Sequence, residues 1–463
     1  MLQLSLQPYK LKKIIGLLFV VTILSAPAKG ADLNNDLLDQ QYQEFSKYFY
    51  YDAAIQNAPI FDNFTALIQA IQKRHNHQQK IDAVILITAN LELIQHNVDS
   101  PAVLGVLTLL LEQNEWHSAN ELFNAIQRDS NKTIVSNARF ALAKHYIKRD
   151  KWQRALEYLD GIAGDLTEDD SDYANLMQGV ALQQLKKHRL AIDVYEKFSP
   201  TSNLYPFTTL NLAVAYIRQD WWTDAHIAIE KLLTQPDQST SDELKNRLNV
   251  ILGYSLMQQG YYRNARDSFR NVTLYSQYTN QALLGIALTA ISQNNYVAAL
   301  NAINILKSGQ GNDLPSEEAY LLLPFVYDKL GQHLTASASY SDAIGHYMQQ
   351  IKSLKDILNN ENNSNTDIKI INDHTFSINN YEIDIKNQAP RSLIDNYRLI
   401  DDFKAHMPDN EFEKKLQMLN ATYNKYLNNI AHNFINKRTT HLNSYIDQSR
   451  YGLALLYDKS LAE

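Results

Sequence analysis

Two histidines one residue apart, His75 and His77 in "KRHNHQQK", come nearest in this chain to a metal-ligand spacing. On a helix, residues two apart point in different directions. Only a loop would bring both rings to one ion, and a solvated turn is the plainer reading. The chain carries no HExxH, GxSxG, GxGxxG or calcium-loop pattern. The glycines of "SGQGNDLPSEE" are turn residues without the lysine and serine or threonine of a phosphate loop. The acidic run "LTEDDSDY" reads as a helix N-cap and not as a catalytic carboxylate pair. With no cysteine, thiol catalysis, cysteine metal sites, disulfides and attachment through a lipidated N-terminal cysteine are all excluded. The expectation is a chain without catalytic residues, metal or cofactor.

Stepping away from single side chains, a packing pattern organises the stretch from Ser136 to Ala343. An alanine recurs every 34 to 40 residues, at Ala155, Ala191, Ala225, Ala265, Ala299 and Ala336, with an earlier copy at Ala119. Three residues before it stands an aromatic or histidine, from Trp116 and Trp152 to His333, and four after it a bulky residue such as Phe123, Tyr195 or Phe269. Twelve before it a small residue appears in five of the seven copies: Ala143, Gly179, Ala213, Gly253 and Ala287. Spacings of three and four are helical. Small residues facing bulky ones let two helices joined by a tight turn approach closely. One such hairpin cannot bury its own apolar face, so the copies must stack into a solenoid. His188 and His333 fill the slot taken elsewhere by tryptophan or tyrosine and read as packing residues.

The pattern resembles the tetratricopeptide repeat. "ARFALAKHYIKRDKWQRALEYL", "LNLAVAYIRQDWWTDAHIAI" and "NVILGYSLMQQGYYRNARDSF" carry the resemblance best, and it runs from Pro101 to Tyr347. It implies an all-α solenoid of helical hairpins that binds a protein or peptide and is not an enzyme. It also implies a concave groove lined by the first helix of each repeat. Projected onto this sequence, that groove receives Phe140, Lys144 and Lys148, then Phe207, Leu210, Val214 and Arg218. Arg247, Val250, Tyr254, Leu284, Leu288, Leu321 and Phe325 continue it. Such a surface is largely apolar with a few basic positions and suits an amphipathic partner helix. It departs from the lysine–asparagine–arginine carboxylate clamp of some family members. The overall layout resembles uncharacterised secreted tetratricopeptide-repeat proteins of Gram-negative bacteria.

Residues 1–30 read as a cleavable secretory signal. Lys10, Lys12 and Lys13 precede an apolar run from Ile14 to Leu24, which as a helix is about 16 Å long against a bilayer core of about 30 Å. Its removal leaves 39 basic against 50 acidic residues, a net charge near −11. That balance argues against a nucleic-acid partner and offers no polybasic stripe to an anionic membrane. No other stretch has the apolar length of a membrane span.

The rest of the chain divides by pattern. Residues 31–100 read as a divergent helical N-terminal cap, with Ala66 marking a degenerate repeat and the cluster Tyr42 to Tyr51 as core packing. Residues 101–358 form the solenoid of about seven repeats, with Pro324 expected to kink a helix. Residues 359–390 are an asparagine-rich flexible loop with a short hairpin, and 391–463 are long C-terminal helices. In the latter, Phe412, Leu416, Leu419, Tyr423, Tyr426 and Ile430 form a coiled-coil-like seam that resumes at Leu442, with a break expected near "NKRTTHLNS". This tail caps the last repeat, docks on a partner or forms a homodimer. The functional expectation is a periplasmic, non-catalytic scaffold of the bacterial envelope. The alternatives are an accessory factor for polysaccharide export or cell-wall remodelling, and a structural homo-oligomer joined through the C-terminal helix.

Overall fold

The computed structural model describes residues 29–162, 165–234, 241–309, 313–359, 368–385, 389–404 and 410–462. Residues 1–28 of the expected signal segment therefore lie outside it, as do 360–367 and 386–388 of the asparagine-rich stretch. Seven helical hairpins follow the alanine pattern. They pair α5 (Ala102–Glu112) with α6 (Trp116–Asp129), α7 (Lys132–Lys148) with α8 (Trp152–Leu159), and α9 (Glu168–Gln184) with α10 (His188–Tyr195). Then come α11 (Tyr205–Arg218) with α12 (Trp222–Thr234), α13 (Asp242–Gln258) with α14 (Tyr262–Arg270), α15 (Thr279–Ser292) with α16 (Tyr296–Ser308), and α17 (Leu314–Lys329) with α18 (His333–Asn359).

Each of the seven alanines has no exposed surface. Each hairpin also turns in the same way. The residue five before the alanine takes a left-handed backbone at Asn114, Asp150, Lys186, Asp220, Gly260, Asn294 and Gly331. The next N–H donates to the carbonyl nine before the alanine, as from Glu115 to Leu110 at 2.9 Å and from Gln332 to Tyr327 at 2.9 Å. This is the six-to-one bond of a Schellman cap, which satisfies an orphan carbonyl and reverses the chain at once. Polar side chains start many of the first helices: Asn131, Thr167, Ser241 and Asp313 each accept an N–H of the following first turn. Pro324 lies inside α17, which continues through it.

An earlier hairpin obeys the same rule. Helices α2 (Phe64–Asn76) and α3 (Lys80–Ala89) turn at left-handed Gln78, and Gln79 N–H donates to Arg74 at 3.0 Å. The alanine five residues on is Ala83, fully buried, whereas Ala66 is exposed. The repeat in the N-terminal segment is thus marked by Ala83 and not by Ala66. The short α4 (Leu91–Gln95) leads from it towards α5.

The chain divides into two compact units. Of the described residues, those within 29–204 and 368–431 form one and those within 205–359 and 432–462 the other. In the first unit, α1 (Lys29–Asn57) packs on α19 (Arg391–Lys404). Phe403 stands among Tyr42, Phe45, Phe49 and Tyr50, with ring centroids 4.8 to 6.1 Å apart. These aromatics are core, while Tyr48 and Tyr51 face outward. The asparagine-rich stretch holds three strands, β1 (Ile368–Ile370), β2 (Thr375–Ile378) and β3 (Tyr381–Asp384), in an antiparallel meander. Ile368 pairs with Ile378 and Phe376 with Ile383. The β2–β3 turn is Asn379–Asn380, both left-handed, as a two-residue type I′ hairpin requires.

The tail is one helix, α20 (Asn410–Ala462), without the break expected near "NKRTTHLNS". In the second unit its end takes the place of one further first helix. Within the solenoid, Gly285 of α15 lets Phe269 of α14 approach so closely that an added Cβ would meet the ring at 2.4 Å. Gly452 of α20 does the same for Tyr340 of α18, also at 2.4 Å. Phe269 and Tyr340 both lie four residues after their repeat's alanine. Leu456 joins Ala336 and Tyr340 in one cluster, Arg438 pairs with the buried Glu317, and Tyr445 hydroxyl bonds Glu318. The tail caps the last repeat by imitating the next one.

A mixed-charge cleft in the first unit

A concavity carrying the predicted groove residues Lys144 and Lys148 belongs to the first unit. It has a volume of about 670 Å³ and is lined from α3, α5, α7 and α19. Helix α7 supplies Lys144, His145 and Lys148 on its accessible face, and α19 brings Asp395, Arg398 and Asp402. Lys80 bonds Glu112 at 2.9 Å, Lys148 lies 3.9 Å from Asp395, and Arg398 pairs with Asp373 at 2.9 Å. Lys144 sits over the ring of Phe140, 4.3 Å from its centroid, and its head remains exposed. Exposed ion pairs of this kind contribute little to stability. Their polar heads stay ready to exchange partners.

A buried network lies beneath the cleft and reaches it through Arg149. Asn396, fully buried, accepts from Arg149 at 2.6 Å and Asn114 at 2.9 Å and donates to Asp39 at 2.9 Å and Tyr423 hydroxyl at 3.0 Å. One amide thereby joins α1, the α5–α6 turn, the end of α7, α19 and α20. His145 stacks on Trp116 at 6.3 Å. Burial, with help from the Arg149 charge, pushes its pKa down to about 3, so the ring stays neutral. The cleft therefore combines a buried, hydrogen-bonded base, which holds the Arg149 cation near the Asp39 carboxylate beside the neutral His145, with a rim of both charge signs.

The remaining predicted groove residues fall into three groups. Phe140, Leu210, Val250, Leu284 and Leu288 are buried, spent on packing between consecutive first helices such as α13 on α15 and α15 on α17. Val214, Arg218, Tyr254, Leu321 and Phe325 are half-buried, and Phe207 and Arg247 are exposed. Tyr254 hydroxyl donates to Gln281 carbonyl at 2.9 Å, which ties it to its neighbouring repeat. Lys80, Asp395 and Arg398 escaped the sequence reading because they come from segments outside the repeat frame. His75 and His77 are exposed at the end of α2. Among the described residues no group of three His, Asp or Glu is placed to hold a metal, and no helix is long and apolar enough to cross a membrane.

By its hairpins, their shared turn and their alanine contacts, the chain is an all-α solenoid of tetratricopeptide type. Neither a protein-family model nor a curated protein sequence matches it. Several solved structures do. The apo form of RapI is 13% identical and covers 85% of this chain and 98% of its own, with a TM-score of 0.43. PilF of Pseudomonas aeruginosa is 13% identical over 55% of this chain and 95% of that one, with a TM-score of 0.30. The TPR domain of P58(IPK) is 14% identical over 58% and 89%, with a TM-score of 0.24.

Proposed function

We propose that this chain is a non-catalytic scaffold of the bacterial envelope that holds a polar segment of a partner protein in the α7–α19 cleft. The observation that carries the reading is the cleft itself, concave, built on a buried, hydrogen-bonded base and rimmed by exchangeable charges. Lys144 and Lys148 stand one helical turn apart on its edge, at the spacing by which a helix presents two neighbouring side chains. An extended peptide with a carboxylate would find both ammonium heads there, and its own cations would find Asp395 and Asp402. The occupant differs from the amphipathic helix suggested by the repeat frame, since half of the apolar frame positions, Phe140, Leu210, Val250, Leu284 and Leu288, are buried. The coiled-coil seam of the tail is likewise spent within the chain: Leu416, Leu419, Tyr423, Ile430, Leu442 and Ile446 are all buried. We therefore favour the scaffold over the tail-joined homo-oligomer. The envelope location rests on the lysine-flanked apolar run of residues 1–30.

The test is quantitative co-purification from the native host with the tagged full chain and with a Lys144→Glu/Lys148→Glu variant. One partner protein should fall by about tenfold with the variant, the loss expected of a hot spot, while the variant's melting curve stays unchanged. An identical set of co-purified proteins would overturn the assignment.

A further inference from the structure

The turn between α14 and α15 presents two large hydrophobic side chains to solvent, Leu274 for the most part and Tyr275 fully. Leu274 is 77% exposed and Tyr275 102%. A tip like this is usually mobile, but here the backbone on both sides is pinned. Thr273 N–H donates to Asn246 Oδ1 at 3.0 Å, and Asn246 Nδ2 returns a bond to Thr273 Oγ1 at 2.9 Å. Glu243 Oε1 accepts from Ser276 Oγ at 3.0 Å and from Gln277 N–H at 3.1 Å. Ser276 Oγ in turn accepts from Tyr278 N–H at 3.0 Å, and Thr279 Oγ1 closes the loop onto Thr273 carbonyl at 2.9 Å. Val272 is buried beneath.

The solenoid contains an internal control. The turn between α10 and α11 has the same build, seven residues after its alanine a buried Phe198 and eleven after it Ser202. Ser202 hydroxyl bonds a carboxylate of the preceding first helix, Asp172, and accepts Leu204 N–H at 3.2 Å, as Ser276 does with Glu243 and Tyr278. Its tip is Pro200–Thr201. The turn therefore folds without a large aliphatic or aromatic tip residue, and its own architecture does not account for Leu274 and Tyr275.

We infer that the Leu274–Tyr275 tip is a preorganised anchor that inserts into an apolar pocket of a partner protein. Tyrosine is favoured at such contacts because it offers large area at low entropy, and a fixed backbone lowers the ordering cost further. A recess of about 310 Å³ beside the tip, lined among others by Asn246, Asn249 and Asn271, gives the rim of that pocket amides to bond. The sequence contains no lysine or arginine between Asn271 and Gln293, and the nearby Lys245 and Arg270 are matched by Asp242 and Glu243, so the tip presents no net positive charge. A protein pocket fits this chemistry better than an anionic lipid surface. The inference rests on the scaffold reading above and adds a second contact, distinct from the cleft.

The experiment places a photo-crosslinking amino acid at Tyr275, at Thr201 or at Lys148 of the full chain in its native host. Purified chain is also sedimented with vesicles of phosphatidylcholine, with and without phosphatidylglycerol. The expected result is an adduct to one protein from Tyr275 and none from Thr201, about tenfold weaker when Leu274→Ser is added, with no sedimentation on vesicles. Equal adducts from Tyr275 and Thr201, an adduct only to a second copy, or vesicle binding lost in Leu274→Ser would each overturn the inference. Silence at Tyr275 with an adduct at Lys148 would overturn the tip and leave the cleft standing. Silence at both would overturn the two together.

Discussion

At the scale of single residues, the account turns on small groups with no room to change. Asn396 satisfies four polar partners, among them the buried Arg149. Asn396→Leu should destabilise the first unit by about 3 kcal/mol in urea unfolding, because it strands buried donors and weakens the neutralisation of a cation. A change under about 0.5 kcal/mol would show that water replaces the amide freely. His145 gives a pH dependence of fixed sign. Its folded pKa is lowered from 6.5 to about 3, so the unfolded chain binds more protons than the folded one as pH falls below 6.5. Stability contributed by the neutral ring is present above that value and lost progressively towards pH 3. By pH 5 the loss should reach about 2 kcal/mol, and His145→Gln should flatten that slope. Parallel acid profiles for the two proteins would contradict it.

At the scale of elements, the alanine anchors were legible because each meets the same neighbours at the same spacing. The turns were harder to read. Left-handed positions carry Gln78, Asn114, Asp150, Lys186, Asp220, Gly260, Asn294 and Gly331, so no single residue type announces them. Hence the first hairpin was assigned to Ala66, while geometry marks Ala83. A cap on the last repeat is one of three readings that the tail's sequence allows, but its mimicry of a first helix depends on Gly452, whose role is visible only beside Tyr340. Gly452→Val should force the two apart, since overpacking of a close helix contact costs 1 to 3 kcal/mol, roughly. Limited proteolysis should then cut first between His432 and Ala462, and Tyr340→Ala in the same chain should restore protection. Unchanged digestion would mean that the tail is held elsewhere. The apolar groove shows the opposite limit. A repeat frame tells which residues face the next helix but not whether that face stays open, and Leu284 and Leu288 are covered by the first helices of the adjacent repeats.

At the scale of the molecule, function follows from which concavity remains accessible. The cleft joins side chains as far apart in sequence as Lys80 and Asp402, a juxtaposition no local pattern encodes. Envelope placement makes its own prediction. Alkaline phosphatase fused after residue 463 should be active, because its disulfides form only in an oxidising compartment, and its activity should vanish when residues 1–30 are removed; an inactive full-length fusion would place the chain elsewhere, and an active fusion without residues 1–30 would show that they are not the export signal. The most direct test of the central claim is hydrogen exchange on the complex co-purified from the native host, compared with the free chain. The account predicts slower exchange in Lys132–Lys148 and Arg391–Lys404, the helices that face the cleft. Protection confined to other helices, with these two unchanged, would contradict it.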